Sequence, residues 1–305
     1  MYINNNSMAT NVANNLTSHY GDLKTSTERL STGLRVNSAA DDAAGLAIRE
    51  LMRTDITALQ QGVRNANDAI SLLQTADGAL GIIDEKLTRM KELAEQAATG
   101  TYDSTQRLMI ESEYQAMASE ITRIANSTDY NGIHLLDGNL SSDTHTGTGA
   151  GTPDGLTSTG KMKIHFGTAN DSAEDYYYIQ IGTSTASALG VGNQSVGSDG
   201  VMRDGSTIST QDAAQKALVA VTNAVVSKDK IRAHLGALQN RLENTVSNLT
   251  TQAENLQAAE SRISDVDVAT EMTKFVRNQI LTQSSVAMLS QANSMPKMAM
   301  QLIGG

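Results

Sequence analysis

Between Asp42 and Ala98, apolar residues recur at Ile56, Leu59, Val63, Ala66, Ile70, Leu73, Ala76, Leu80, Ile83, Leu87, Met90, Ala94 and Ala97. The steps are threes and fours, with one irregularity between Leu73 and Ala76, and no proline intervenes. This pattern predicts one long amphipathic helix with coiled-coil character. At 1.5 Å per residue such a rod is roughly 80 Å long, whereas a compact globule of this chain length has a radius of gyration of about 19 Å. The pattern therefore predicts an elongated chain whose rod needs partners beside it.

A second series runs Ile231, Leu235, Leu238, Leu242, Leu249, Leu256 and Ile263, with Thr245, Gln252 and Ala259 in its gaps. It predicts a partner rod from about Gln211 to Arg262. Each rod is flanked by a weaker terminal helix. The first carries a thin stripe of Met8, Val12, Leu16, Leu23 and Leu30, with His19 and Tyr20 between, and ends at Gly33. An extended link then leads to Asp41 and Asp42, placed to cap the long helix. The last helix carries Val268, Met272, Phe275, Val276, Ile280, Val286, Met288, Leu289 and Ala292, and is expected to fray beyond Pro296. Ser264-Asp265-Val266-Asp267 interrupts the chain before it and supplies another cap.

Between the rods lies a further helix from Asp103 or Ser104 to about Asn126, then turns at Asn131-Gly132 and Asp137-Gly138. Residues 141–160 and 182–210 are rich in Gly, Ser and Thr, suiting bare loops or surface sugars. Met162–Phe166 and Tyr176–Ile181 predict a β-hairpin. The fold class is thus mainly α: long antiparallel helical rods and coiled coil from both chain ends, with a small central insert containing a β-hairpin. The expected divisions are 1–41 with 266–305, 42–140 with 205–265, and 141–204. The order is a palindrome that brings both termini to one tip, and helical self-association is its natural use. A heterologous contact that does not close makes a filament.

Composition narrows the function. The net charge of −10 argues against nucleic acid as a partner. Residues 1–40 and 266–305 each carry about one net positive charge, so the acidic excess lies wholly between them. Sparsely charged ends can pack against copies of themselves. No apolar run reaches the roughly 20 residues that span a membrane, and Met-Tyr-Ile-Asn-Asn-Asn lacks the basic start and apolar core of a cleavable signal. The expectation is either a cytoplasmic protein or export by a route that reads no such signal. Cysteine is absent, His19, His134, His145, His165 and His234 are scattered, and no phosphate loop or metal-ligand spacing occurs. No catalytic residue, cofactor or metal is expected.

Several segments carry a resemblance: Ile3-Asn4-Asn5-Asn6, Leu30 to Ile48 (LSTGLRVNSAADDAAGLAI), Gln74 to Leu80 (QTADGAL), Asp129-Tyr130-Asn131-Gly132, Leu235 to Leu242 (LGALQNRL), Ser261 to Asp265 (SRISD) and Met288 to Asn293 (MLSQAN). In this order they resemble bacterial flagellin over about two-thirds of the chain. The close, Met298 to Gly305, departs from the Leu-rich, arginine-ended close more usual in the family. The resemblance implies a secreted subunit that polymerises into the flagellar filament, its terminal helices forming an inner coiled-coil tube. It also implies export in an unfolded state through the flagellar secretion apparatus, a chaperone on the C-terminal end, and filament cap and hook-junction proteins as partners. A hook–filament junction protein is the alternative with the same helical-ends plan.

Two residue sets follow. Val12, Leu16, Leu23, Leu30, Met272, Phe275, Val276, Ile280, Val286 and Leu289 are the expected filament-core packing residues. Leu87, Arg89, Met90 and Leu93, with Glu113 on the next helix, resemble the patch that the vertebrate Toll-like flagellin receptor recognises. Arg89 and Leu93 are four apart and share a helix face. The same face equally suits packing against a neighbouring subunit.

Overall fold

A computed structural model describes residues 6–140, 160–171, 174–192, 205 and 207–303, with side chains to 298. The two apolar series form the two longest helices, α2 (Ala43–Ala98) and α5 (Gln211–Ser264). The flanking helices are α1 (Ser7–Thr32) and α6 (Val268–Ile303), and α3 (Ser104–Ser127) follows α2. Short elements complete the order: β1 (Asp129–Tyr130), β2 (Ile133–His134), β3 (Met162–His165), β4 (Tyr176–Ile179) and α4 (Ala186–Leu189), a turn of helix within the Gly/Ser/Thr-rich stretch. The chain divides into two compact units, residues 1–56 with 253–305 and residues 57–252.

Local chemistry sets the helix ends. Asn6 caps α1 by accepting the Ala9 N–H at 3.1 Å, and Gly33, at φ 74°, closes it in the left-handed conformation that glycine adopts at little cost. The acidic pairs divide their work. Asp42 caps α2 through Gly45 N–H at 2.8 Å, and Asp267 caps α6 through the Ala269 and Thr270 N–H groups. Asp41 instead holds the link before α2, accepting from Ser38 N–H and Oγ, and these bonds keep its carboxyl below the ordinary value. The two inter-helix links pair with each other: Arg35 N–H donates to the Ser264 carbonyl and Val266 N–H to that of Gly33.

Residues 57–252 hold one hydrophobic core. Leu73, Leu80, Ile83, Leu87, Met90 and Leu93 of α2 meet Ala217, Val221, Leu235 and Leu242 of α5, with Tyr114 and Ile121 of α3 alongside. The insert joins this core through Leu135, Leu136, Leu140, Ile179, Ile181 and Val191. Asn131 (φ 53°) and Gly132 (φ 80°) form the two-residue turn between β1 and β2, both positive as a type I′ hairpin turn requires. β3 and β4 pair antiparallel with Ile164 opposite Tyr177. Gly62 of α2 lets this hairpin dock, since a Cβ there would overlap the Phe166 carbonyl. Two main-chain bonds link residues distant in sequence, Gly160 N–H to Asn139 O and Gly192 N–H to Gly205 O. The Tyr114 hydroxyl also donates to Gly205 O at 2.8 Å, and its burial raises its pKa far above the ordinary value.

One boundary differs from expectation. α6 does not fray at Pro296 but runs on to Ile303. Proline lacks the N–H that would serve the carbonyl four residues back, which is Ala292. Asn6 Nδ2 donates to that carbonyl instead, at 2.8 Å. A side chain at the other end of the sequence thus replaces the bond that proline removes.

Candidate functional site

The unit of residues 1–56 and 253–305 is organised on α1 and α6, which pack closely. They run antiparallel: Asn6 meets Ala292 at one end, and Leu34 bridges Asp265 at the other. On α1 the series Ala9, Val12, Leu16, His19, Leu23, Ser26 and Leu30 is covered, with Ala13 and Arg29 part-covered beside it; on α6 the series is Glu271, Phe275, Asn278, Thr282, Ser285, Leu289, Ala292 and Pro296, with Ser294 and Met295 beside it. Both sets alternate threes and fours without a break, the seam of a two-stranded coiled coil. On α1, His19 and Ser26 are the polar members of this series; on α6 they are Glu271, Asn278, Thr282 and Ser285.

The contents of the seam are unusual for a coiled coil. Its most deeply buried members are Ser26, Glu271, Thr282 and Ala292, at 3–7% exposure, while the leucines are only half-buried. Burial works against the charge on Glu271, but Ser26, Lys274 (3.2 Å) and Arg29 outweigh it and hold the carboxyl below the ordinary glutamate value.

The apolar residues of α6 mostly face away from this seam. Val268, Met272, Val276, Ile280 and Val286 are exposed by 44–58%. At 3.6 residues per turn, Met272, Val276 and Val286 lie on one flank of the seam, and Leu281 and Met288 on the other. A helix apolar all round is one that is buried. Of the ten expected packing residues, six (Val12, Leu16, Leu23, Leu30, Phe275 and Leu289) lie in the chain's own seam, and four (Met272, Val276, Ile280 and Val286) face outward.

The other residue set lies in the second unit, on α2 and α3. Leu87, Met90 and Leu93 are at most 1% exposed and belong to the core. Arg89 is on the surface, its guanidinium donating to Glu113 at 2.9 Å and Glu92 at 2.9 Å. These bonds, Glu113 foremost, raise its pKa above the ordinary arginine value. Among the described residues, no group of three or more His, Cys, Asp or Glu is placed to hold a metal ion. No helix there is long and apolar enough to cross a membrane.

Comparison with known proteins bears on the same helices. Residues 3–141 match the bacterial flagellin N-terminal helical region and residues 218–303 the bacterial flagellin C-terminal helical region. The chain is 39% identical over 303 residues to the flagellar filament 33 kDa core protein of Treponema phagedenis, covering 99% of this chain and 100% of that one. It is 41% identical over 327 residues to a flagellin of Bacillus subtilis (strain 168), again with 99% and 100% covered. A solved structure assigned as a flagellar hook-associated protein of Vibrio parahaemolyticus shares the fold at TM-score 0.54 and 14% identity, over 74% of this chain and 100% of that one. With both helical regions matched in order and full-length relatives at such identity, the chain belongs to the bacterial flagellin family.

Proposed function

We propose that this flagellin polymerises through the α1–α6 pair, with the two flanks of α6 covered by different neighbouring copies in an extracellular filament that serves motility. One observation carries this reading: α6 is apolar on both sides of a seam whose most deeply buried members, Ser26, Glu271 and Thr282 with Ala292, are mostly polar. A single neighbour lying along one flank leaves the other in water. Cover for both requires at least two neighbours, and heterologous contacts that do not close build a filament. In this reading residues 1–41 and 266–305 form the filament core, 42–140 and 205–265 the rod, and 141–204 the outward insert. The full-length relatives named as filament core protein and flagellin favour the filament subunit over the hook–filament junction alternative.

The same exposed flanks support the remaining partners. A face so apolar needs cover before assembly, which suits a chaperone on the C-terminal end. Secretion unfolded through the flagellar apparatus, and encounter with cap and hook-junction proteins, complete the reading. For the vertebrate Toll-like receptor, the accessible patch is the Arg89, Glu92 and Glu113 cluster. Leu87, Met90 and Leu93 support it from the core. Arg89→Asp in purified monomer is expected to abolish activation of receptor-bearing cells, and undiminished signalling would remove this site.

Removing residues 286–305 tests the central claim. It deletes Val286, Met288, Leu289 and Ala292 and leaves residues 57–252 intact. Each subunit loses burial worth several kcal/mol, at about 25 cal/mol per Å² of apolar surface, and a polymer repeats that loss at every subunit. Near-parental helicity per residue by circular dichroism, with no extension of filament seeds by turbidity, is the expected pair of results. Normal elongation would mean that assembly does not rest on α6.

A further inference from the structure

The exposed faces of α6 carry a reactive atom as well as apolar surface. Met272 is 44% exposed on one flank and Met288 58% exposed on the other. Both side chains are open to solvent in the single chain, whereas Met90, in the core, is 0% exposed. We infer that Met272 and Met288 are peroxide-modification sites at which oxidation of the free subunit blocks its addition to a filament; the inference rests on the assembly reading above. In each event the thioether sulfur attacks one peroxide oxygen. A sulfur–oxygen bond forms as the oxygen–oxygen bond breaks. Sulfur loses two electrons, and the departing hydroxide takes the proton from the oxygen now bound to sulfur, leaving a sulfoxide and water.

The product is a sulfoxide, polar and a strong hydrogen-bond acceptor. On a monomer surface water satisfies it, so the fold is unaffected. Beneath a neighbouring subunit's apolar face it has no donor, and burying an unpaired polar group is unfavourable. Because the two methionines lie on opposite flanks, oxidation of either one spoils one of the two contacts that each subunit needs. Met109 on α3 is more exposed, at 69%, but lies in the other unit, so it serves as an internal control.

The test compares seeded elongation by the parent and by a Met272→Leu/Met288→Leu variant, each with and without hydrogen peroxide, with sulfoxide occupancy read by peptide mass. Treated parent should need roughly tenfold or more protein to elongate, as expected for one poorly buried polar group per contact. The treated leucine variant should stay within about threefold of its untreated form, although Met109 is oxidised in both. Unchanged elongation by a parent oxidised at both sites, or equal inhibition of the leucine variant, overturns the inference. If the leucine pair does not elongate untreated, methionine sulfoxide reductase decides on oxidised protein carrying Met8→Leu, Met109→Leu and Met298→Leu, since Met8 and Met298 are exposed in the same unit: rescue supports the inference and no rescue defeats it. Untreated Met272→Asp/Met288→Asp separates the two levels. Normal elongation by that variant defeats the assembly reading itself; if it is blocked while the sulfoxides are harmless, only the present inference falls.

Discussion

A lysine occupies a core position of the rod, and its replacement gives a sharp prediction. The covered series on α5 runs Ala214, Ala217, Val221, Ala224, Lys228, Ile231, Leu235, Leu238 and Leu242, in steps of three and four. The Lys228 side chain is 2% exposed, with its ammonium 2.5 Å from Asp84 of α2 and 2.8 Å from Asp229. The carboxylates are not buried with it: Asp84 is 41% and Asp229 59% exposed. Removing the cation therefore leaves two hydrated anions, while removing Asp84 leaves a buried cation with one partner. Lys228→Met keeps the unbranched length and should change stability by between zero and a gain of about 2 kcal/mol, as when a buried ion pair gives way to a well-packed apolar side chain. Asp84→Ala should cost about 1.5–3 kcal/mol, the worth of a charged hydrogen bond to a desolvated group. The double variant should match Lys228→Met alone. Urea unfolding followed by tyrosine emission reads this unit, since Tyr102, Tyr114, Tyr130, Tyr176, Tyr177 and Tyr178, of eight tyrosines, lie in it. Burial opposes the charge on Lys228, but Asp229 and Asp84 more than offset it, so its pKa lies above the ordinary 10.5. Its contribution is therefore complete below about pH 10.5 and is lost as pH rises through the folded-state value. Circular dichroism, which phenol ionisation does not disturb, follows that alkaline limb; it should be steeper in the parent than in Lys228→Met. A Lys228→Met protein weaker by more than about 2 kcal/mol, or a neutral Asp84→Ala, would refute the argument.

Three further outcomes follow from single contacts. Asn6→Ala should weaken the α1–α6 pair by about 1–2 kcal/mol through the lost cap and the stranded Ala292 carbonyl; Pro296→Ala, which restores a helical N–H, should recover the second part, as hydrogen exchange along α6 would read. Glu271 has a lowered folded-state pKa, so its stabilisation is present above about pH 4.5 and lost as pH falls through the folded value; Glu271→Gln should flatten that acid limb in α6 protection. Gly62→Ala should cost about 1–3 kcal/mol by pushing a methyl group into the Phe166 carbonyl, measurable as a lower urea midpoint with the tyrosine signal of the hairpin shifted.

The helices were legible because their signal is long, continuous and free of proline. Leu73, Leu80, Ile83, Leu87 and Met90 stand in the apolar series and are buried, and Asn131-Gly132 makes the turn its residue types demand. What stayed hidden was polar membership of covered seams. His19, Ser26, Glu271 and Lys228 occupy heptad positions, but polarity alone assigns them to the surface. The partners that justify them, Asp84 for Lys228 and Ser26 for Glu271, lie far away in sequence. Pro296 reads as a helix end for the same reason, since nothing near it announces Asn6. At the proposed receptor patch, helical spacing puts Arg89 and Leu93 on one face. Its edge is what matters: Leu93 turns into the core while Arg89 reaches across to Glu113.

The two units use their apolar residues in opposite ways. Residues 57–252 place Leu73, Leu80, Ile83, Leu87, Met90 and Leu93 in their own core at essentially no exposure. The α1–α6 unit gives the deepest places in its seam to Ser26, Thr282 and Glu271, leaves the seam leucines half-buried, and turns Val276, Ile280 and Met288 outward. At about 25 cal/mol per Å², the surface that would stabilise α6 most is the surface its own chain does not cover. Polar contacts in the seam, Asn6–Ala292 and Ser26–Glu271, align α1 with α6 without covering those outward residues. A monomer that completed this core would have no drive left to polymerise. In the proposed assembly, leaving both flanks of α6 open makes the stability of the chain's ends a property of the polymer, so that the helices order most firmly where the next subunit arrives.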